Sequence, residues 1–154
     1  MLKQKVDIVV LCIGEPIQVG IYADGLLINK MIKMGLTSDI LPEMFKDIKE
    51  KYDIVSLAYT NGPGSYMSIK VAYIFLKSFS LINSIKLFAI CGFDTNGNSP
   101  IKAIGNKYFF RTKDGDIYLD RLTTDKPQEF KLKPNYKSFK IEKTDQPNFV
   151  LPVV

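Results

Sequence analysis

Apolar and polar positions alternate with a strand's period in the first third of the chain and with a helix's period in the second. Residues 6–13 are rich in Val and Ile and read as a strand. Gly14-Glu15-Pro16 is a turn, and residues 17–22 alternate roughly as a second strand. Asp24-Gly25 is a hairpin signal, and residues 26–32 follow as a third strand. The three predict an antiparallel meander. A helix is predicted next, with Thr37 or Ser38 as its cap, Asp39 suited to its positive end and Pro42 near its first turn. Its apolar stripe is Ile40, Leu41, Met44, Phe45, Ile48 and Tyr52, while Glu43, Lys46, Asp47, Lys49 and Glu50 face water.

The segment from 53 to 82 organises the rest. Residues 53–60 form a short, continuous apolar run, as in a strand buried on both faces. Gly62, Pro63 and Gly64 force a tight turn, and Ser65 is placed to cap the helix that follows. At about 100° per residue, Ile69, Ala72, Leu76 and Phe79 share one face of that helix. Met67, Val71, Ile74 and Leu81 lie roughly opposite, interrupted only by Ser78, and Lys70 and Lys77 mark a narrow wet edge. A helix with two apolar faces needs two partners: the chain's own sheet, and either more of this chain or a second protein.

Residues 86–91 read as another strand, so the order to that point implies a mixed sheet covered by helices on at least one face, with a right-handed βαβ unit. Residues 92–100 are turn-rich. Residues 103–112 and 115–122 flank Asp114-Gly115 and read as a hairpin. Pro127, Pro134, Pro147 and Pro152 punctuate an extended tail, expected to pack on the body through Phe130, Tyr136, Phe149 and Leu151.

With 154 residues, 46% apolar and 24% charged, the chain suits one ordinary globular core. Lys70 and Lys77 break the best membrane-span candidate. Lys3 and Lys5 are followed by Asp7 and by no small-residue cleavage site, so a cytoplasmic rather than a secreted protein is expected. Cys12 and Cys91, in strand-like runs, read as buried small hydrophobes in a reducing compartment. The absence of His removes Ser-His and Cys-His catalysis and the commonest zinc ligand. The net charge of +5 is uneven: ten Lys/Arg stand against nine Asp/Glu over 1–100, and eleven against seven over 101–154. The basic C-terminal part suits either an RNA-bearing complex or a solvated lysine-rich surface.

Gly62, Gly64 and Ser65 at a helix start are compatible with an anion site or with a purely structural turn, and the P-loop Lys is missing. Tyr108, Phe109, Phe110 and Arg111 would form a basic-aromatic surface, although strand alternation favours core packing for at least half of them. Asp114 and Asp116 flank a turn and make a weak cation candidate.

Asn61-Gly62-Pro63-Gly64-Ser65-Tyr66, followed by a helix carrying Ile69, Val71 and Ala72, resembles the GPGSF–helix signature of the TsaB (YeaZ) family. Thr37-Ser38-Asp39-Ile40-Leu41-Pro42 is similar to that family's stretch ending in Leu-Pro before its first helix, and Ala103-Ile104-Gly105-Asn106-Lys107 to its strand opening the second lobe. The resemblance covers roughly residues 6–110. It implies an α/β fold of the actin/hexokinase-like (RNase H-related) type over 1–100, with 101–154 as a reduced second lobe of hairpin and tail. It further implies a non-catalytic subunit that pairs by helix packing with a TsaD-like catalytic subunit, or with itself, in tRNA threonylcarbamoyladenosine modification. The interface residues carried over are Ile40, Met44, Met67, Val71, Ile74 and Leu81. Where nucleotide-binding relatives of the fold hold an acidic residue and hydroxyls, this chain has Cys12-Ile13-Gly14, so no nucleotide, metal or other cofactor is expected. The alternatives are a degenerate ATP- or phosphate-binding protein using the 62–65 loop and an accessory tRNA-binding module using the basic tail.

Overall fold

The computed structural model describes residues 2–123 and 126–149. Its main sheet has six strands in the order β3-β2-β1-β4-β5-β9. The strands are β1 (Gln4–Leu11), β2 (Ile17–Ala23), β3 (Leu26–Lys33), β4 (Tyr52–Thr60), β5 (Lys86–Ile90) and β9 (Ile141–Glu142). The meander β1-β2-β3 is antiparallel, β4 and β5 add in parallel beside β1, and β9 closes the far edge antiparallel to β5. The expected mixed α/β sheet is present. A second sheet of three strands, β6 (Ile101–Lys102), β7 (Lys107–Arg111) and β8 (Ile117–Arg121), contains the hairpin expected around Asp114-Gly115.

Two helices, α1 (Thr37–Lys51) and α2 (Tyr66–Asn83), cover one face of the main sheet. Strand alternation supplies that face with Val6, Ile8, Val10 and Cys12 from β1 and its end, and with Ile17, Val19, Ile21 and Ala23 from β2. In β4, Ile54 and Leu57 both join this layer although they are an odd number of residues apart. A register shift makes that possible: Val6 pairs with Ile54 but Asp7 pairs with Ser56, so Val55 bulges out and is 51% exposed. Without the bulge, one half of β4 would turn its apolar set to the wrong face.

The opposite face carries Val9, Leu11, Tyr22, Ala58 and Ile90, and among the described residues no α-helix lies over it. The tail covers it instead, with Phe130, Leu132, Tyr136 and the buried Phe139. Backbone carbonyls of the tail anchor it: Gln18 Nε2 donates to Phe130 O at 2.8 Å and the Tyr22 hydroxyl to Lys133 O at 2.6 Å. At Gly20 a Cβ would stand 2.9 Å from a Leu132 methyl and 2.8 Å from the Tyr22 ring, so only glycine lets the tail lie this close. Phe130 and Tyr136 pack as the sequence suggests, Phe149 contacts Tyr66, and Leu151 lies outside the described residues. The small sheet closes a third cluster in which Phe93, Ile101 and Phe109 meet Ile13 at the end of β1.

Two details differ from expectation. Helix α1 begins at Thr37 with Leu36 as its N-cap and no side-chain cap; Asp39 and Ile40 donate to Leu36 O at 3.0 Å. Pro42 therefore lies in the second turn, and the carbonyl it leaves without its helical donor belongs to exposed Ser38. Cys12 is fully buried as expected, but Cys91 is only partly buried.

The turn between β4 and α2 ties these layers together. Asn61 N–H donates to Ile90 O at 3.0 Å, Gly92 N–H to Gly62 O at 2.9 Å, and Asn148 N–H to Asn61 O at 2.7 Å. Gly62 has φ +124°, and a Cβ there would stand 2.5 Å from Asn148 O. Replacing Gly62 by Ala should therefore strain the turn and displace the tail, costing roughly 1–3 kcal/mol. Denaturant midpoints check this, with limited proteolysis of residues 126–149 as a second readout; unchanged values for both would refute it.

Burial pushes the Cys12 thiol up to about 11 from its ordinary 9.0, and hydrogen bonding with Thr60 offsets only part of that. Burial also raises the Tyr22 and Tyr59 hydroxyls. A raised folded pKa leaves the stabilising contribution intact below about pH 9, and that contribution is lost as pH climbs through about 11. The melting temperature should fall over this window. The fall should be smaller, though still present because of the tyrosines, in Cys12→Ala. Identical pH profiles for the two proteins would show that the thiol does not contribute.

Candidate functional site on the outer helix face

Helix α2 starts where the turn directs it. Ser65 caps it, accepting from Ser68 N–H at 3.5 Å, and Ser84 ends it in a left-handed conformation with φ 53°. Between these ends α2 shows three stripes rather than two. The inner stripe, Ile69, Ala72, Leu76 and Ser80, is buried against the sheet. The Ser80 hydroxyl donates to Ile85 O, which explains how a polar residue sits at a core position.

The second stripe is Tyr66, Lys70, Tyr73 and Lys77, spaced four, three and four residues apart, and the tail runs beside it. Phe149 rests on Tyr66 with ring centroids 4.7 Å apart, Gln146 Nε2 donates to the Tyr73 hydroxyl, and Lys77 pairs with Asp145. The hydrogen bond that Lys77 Nζ donates to the Asp145 carboxylate raises the Lys77 pKa. The Tyr59 hydroxyl donates to Asp145 O at 2.7 Å and Asn61 Nδ2 to Gln146 O at 2.9 Å, fixing the strap from beneath. The wet edge foreseen at Lys70 and Lys77 is thus wet at Lys70, which stays exposed over the Tyr66 ring, whereas Lys77 is taken by the tail.

The third stripe faces outward. Met67 is 62% exposed, Ile74 54% and Leu81 68%, with Ile82 beside them and Val71 partly buried. Val71, Ile74, Phe75 and Ser78 then form one wall of a groove of about 360 Å³ whose other wall is Ser38 and Pro42 of α1. This corrects the expectation for α1. Ile40 and Met44, carried over as interface residues, are buried at 6% and 0% exposure. At 100° per residue they fall on the same stripe as Leu41, Phe45 and Ile48, and that stripe is the one the sheet takes. Ser38 and Pro42 are offset from it and reach the outer surface. Leu36, 70% exposed and beside Ser65 and Ser68 at the start of α2, and Tyr66, 41% exposed, were not foreseen as surface apolar residues here. Leu36 was hidden by its place in the link before α1. Phe149 packs on the body as expected, but its partner, Tyr66, follows from the tail's path, which no local pattern encodes.

The remaining candidates are placed as follows. Gly62 is buried and Gly64 partly buried; a Cβ on Gly64 would stand 2.4 Å from Ile13 Cγ2, so close packing accounts for Gly64, and close packing together with its positive φ for Gly62. Ser65 borders a cavity of about 270 Å³ shared with Cys12, Glu15 and Thr37. Phe109 is core, and Arg111 turns inward to Asp94 at 2.9 Å and over the Phe93 ring at 5.1 Å. Phe110 stacks on Tyr118 at 5.3 Å. Asp114 and Asp116 are exposed, and no group of three or more His, Cys, Asp or Glu side chains converges among the described residues. No described helix is long and apolar enough to cross a membrane.

No family model matches the chain, and no curated protein matches its sequence. Solved structures do match. YeaZ from Pseudomonas aeruginosa superposes with a TM-score of 0.61 at 13% identity, over 76% of this chain and 64% of that one. A structure described as an uncharacterized protein with similarity to peptidase YEAZ from Pseudomonas aeruginosa gives 0.59 at 12% identity with the same coverage. The match thus spans just under two thirds of either neighbour's length. The resemblance read from residues 61–66 and the element order is borne out in the architecture: the chain has the YeaZ fold, an actin-like mixed sheet with two helices on one face, accompanied by a small second sheet.

Proposed function

We propose that this chain is a non-catalytic scaffold subunit that pairs, through the outer face of α2, with a TsaD-like catalytic subunit in cytoplasmic tRNA threonylcarbamoyladenosine modification. The observation that carries the reading is the outward stripe of Met67, Ile74 and Leu81. A stripe of large apolar side chains along most of one helix, bordered by polar positions, is what an interface core looks like before its partner arrives. The groove beside it sets Ser38 and Pro42 of α1 against Val71, Ile74, Phe75 and Ser78 of α2, so a partner helix would find an apolar wall facing smaller residues. Likeness to the YeaZ fold supports the same reading. Transfer RNA would be met through the partner. In this reading the chain supplies shape and apolar area and takes no chemical step.

The test is co-expression with the TsaD-like protein of the same organism, followed by gel filtration with light scattering. A mass containing both chains is expected. Ile74→Asp and Val71→Asp, each leaving a charge unpaired in the interface, should weaken pairing by at least about a hundredfold. Both variants should keep the wild-type circular dichroism and melting temperature. Pairing retained by both would refute the placement; a wild-type chain that pairs only with itself would refute the heteromeric reading.

A further inference from the structure

Charges of the two signs are mixed on one side of this protein and sorted on the other. On α1 the exposed charged positions Glu43, Lys46, Asp47, Lys49, Glu50 and Lys51 alternate in sign, as on an ordinary solvated helix. The tail from 126 to 143 instead carries six lysines against two glutamates. One of the two, Glu142, pairs in the ladder with Ala89, whose side chain belongs to the helix-side cluster, so Glu142 lies on the helix side. Asp145, just beyond, is taken by Lys77 of α2. Near the segment on the tail side stand Glu129 and, in the β2–β3 turn, Asp24, while Asp7 beneath it is held by the Ser56 hydroxyl.

The lysines are left over. Lys131, Lys137 and Lys140 are exposed. Lys133 reaches over the Phe139 ring and donates to Ser138 O at 3.0 Å, which brings its ammonium to the 137–140 end of the segment. Lys30 joins them from the sheet, since it pairs with Gly20, whose missing side chain would point at Leu132 of the tail. Among the described residues none of these five is in an ion pair. They also stand on a fixed frame: Lys131 N–H donates to Thr95 O at 2.9 Å, Leu27 N–H to Pro134 O at 2.9 Å and Tyr136 N–H to Gly25 O at 2.8 Å. No large apolar side chain of 126–143 is exposed, because Phe130, Leu132, Tyr136 and Phe139 turn to the sheet.

We infer that the tail-covered face of the main sheet binds a nucleic-acid backbone, with Lys30, Lys131, Lys133, Lys137 and Lys140 meeting its phosphates. Unpaired cations held on an ordered main chain match a polymer of evenly spaced negative charge, which needs no apolar anchor. A membrane surface or a protein partner would call for exposed apolar side chains, and the strip has none. The inference goes beyond the scaffold reading, in which RNA is met through the partner. It uses the face of the sheet opposite α1 and α2, so the two surfaces do not compete.

The test uses the full chain alone, so its failure leaves the reading of α2 untouched. Labelled RNA and DNA hairpins of about 20 nucleotides are titrated by fluorescence anisotropy. At least one should bind, with an affinity that falls roughly fiftyfold or more between about 50 and about 200 mM salt, as counterion release from four or five phosphates requires. Lys131→Gln, Lys137→Gln and Lys140→Gln together should weaken binding at least about tenfold and flatten the salt dependence. Lys46→Gln, Lys51→Gln and Lys113→Gln remove the same charge from exposed positions elsewhere and should leave binding within about threefold. Both triple variants should keep the wild-type melting temperature. The inference is overturned if neither hairpin binds, if binding hardly depends on salt, or if the two triple variants weaken it equally. It is equally overturned if phosphatidylserine vesicles or polyglutamate bind as tightly as the hairpins and lose as much in the first variant, since the strip would then attract any anion.

Discussion

The close approach at the turn between β4 and α2 is the constraint from which the rest of the structure follows. Three chain segments converge there: the end of β1 through Ile13, the residues after β5 through Gly92, and the tail through Asn148. Gly64 and Gly92 each pass within 2.4 Å, measured from a notional Cβ, of an Ile13 methyl, and Gly62 lies as close to Asn148 O. No side chain fits at any of the three. Three backbone hydrogen bonds span the turn, joined by the one from Asn61 Nδ2 to Gln146 O, so the geometry is set largely by the main chain and by the absence of Cβ atoms. The axis of α2, the landing of the tail and the attachment of the small sheet all follow from it.

A sheet with apolar residues on both faces must be covered twice. Helices α1 and α2 cover one face; on the other, an irregular tail does the same work. An extended segment leaves backbone groups that must find partners, and the tail's carbonyls find them in Gln18, Tyr22, Tyr59 and Asn61, side chains reaching out of the sheet or its ends. This is why polar residues occur in otherwise apolar strands. Tyr22 and Tyr59 are rings in the core with hydroxyls serving as anchors, which is the use that buried tyrosine permits.

Periodicity made most of the main sheet and both helices legible, because β1 to β5 and α1 to α2 are local patterns with marked ends. Asp24-Gly25 and the 61–66 turn needed no tertiary information. What could not be read depended on contacts far apart in the chain. The Val55 bulge is visible only once β1 fixes which face Ile54 and Leu57 must share. The strap along Tyr66, Tyr73 and Lys77 could not be foreseen, and Lys77 read as part of a wet edge, because its cover lies about seventy residues downstream, as the pairing of Lys77 with Asp145 shows. Ile40 and Met44 were misplaced because an apolar stripe on a helix does not say whether its own sheet or a partner will cover it. For α1 a single stripe had to serve the core, whereas α2 had apolar residues to spare.

That surplus can be followed one step further. A third of the circumference of α2 goes to the sheet and a further strip to the tail, and the remaining arc stays apolar. Solubility alone would favour Lys or Glu at Met67, Ile74 and Leu81, since none of them touches the core and helix propensity would not suffer. The neighbouring positions of α1 are not bulky apolar residues but Ser38 and Pro42, which open a groove rather than raise a ridge. Apolar knobs on one helix beside a small-residue groove on the next form a shape that another pair of helices can complement, the pattern of ridges packing into grooves. The strap limits where such a pair can sit. By contacting Tyr66, Tyr73 and Lys77 it covers the β5 side of α2 and leaves open the side toward α1.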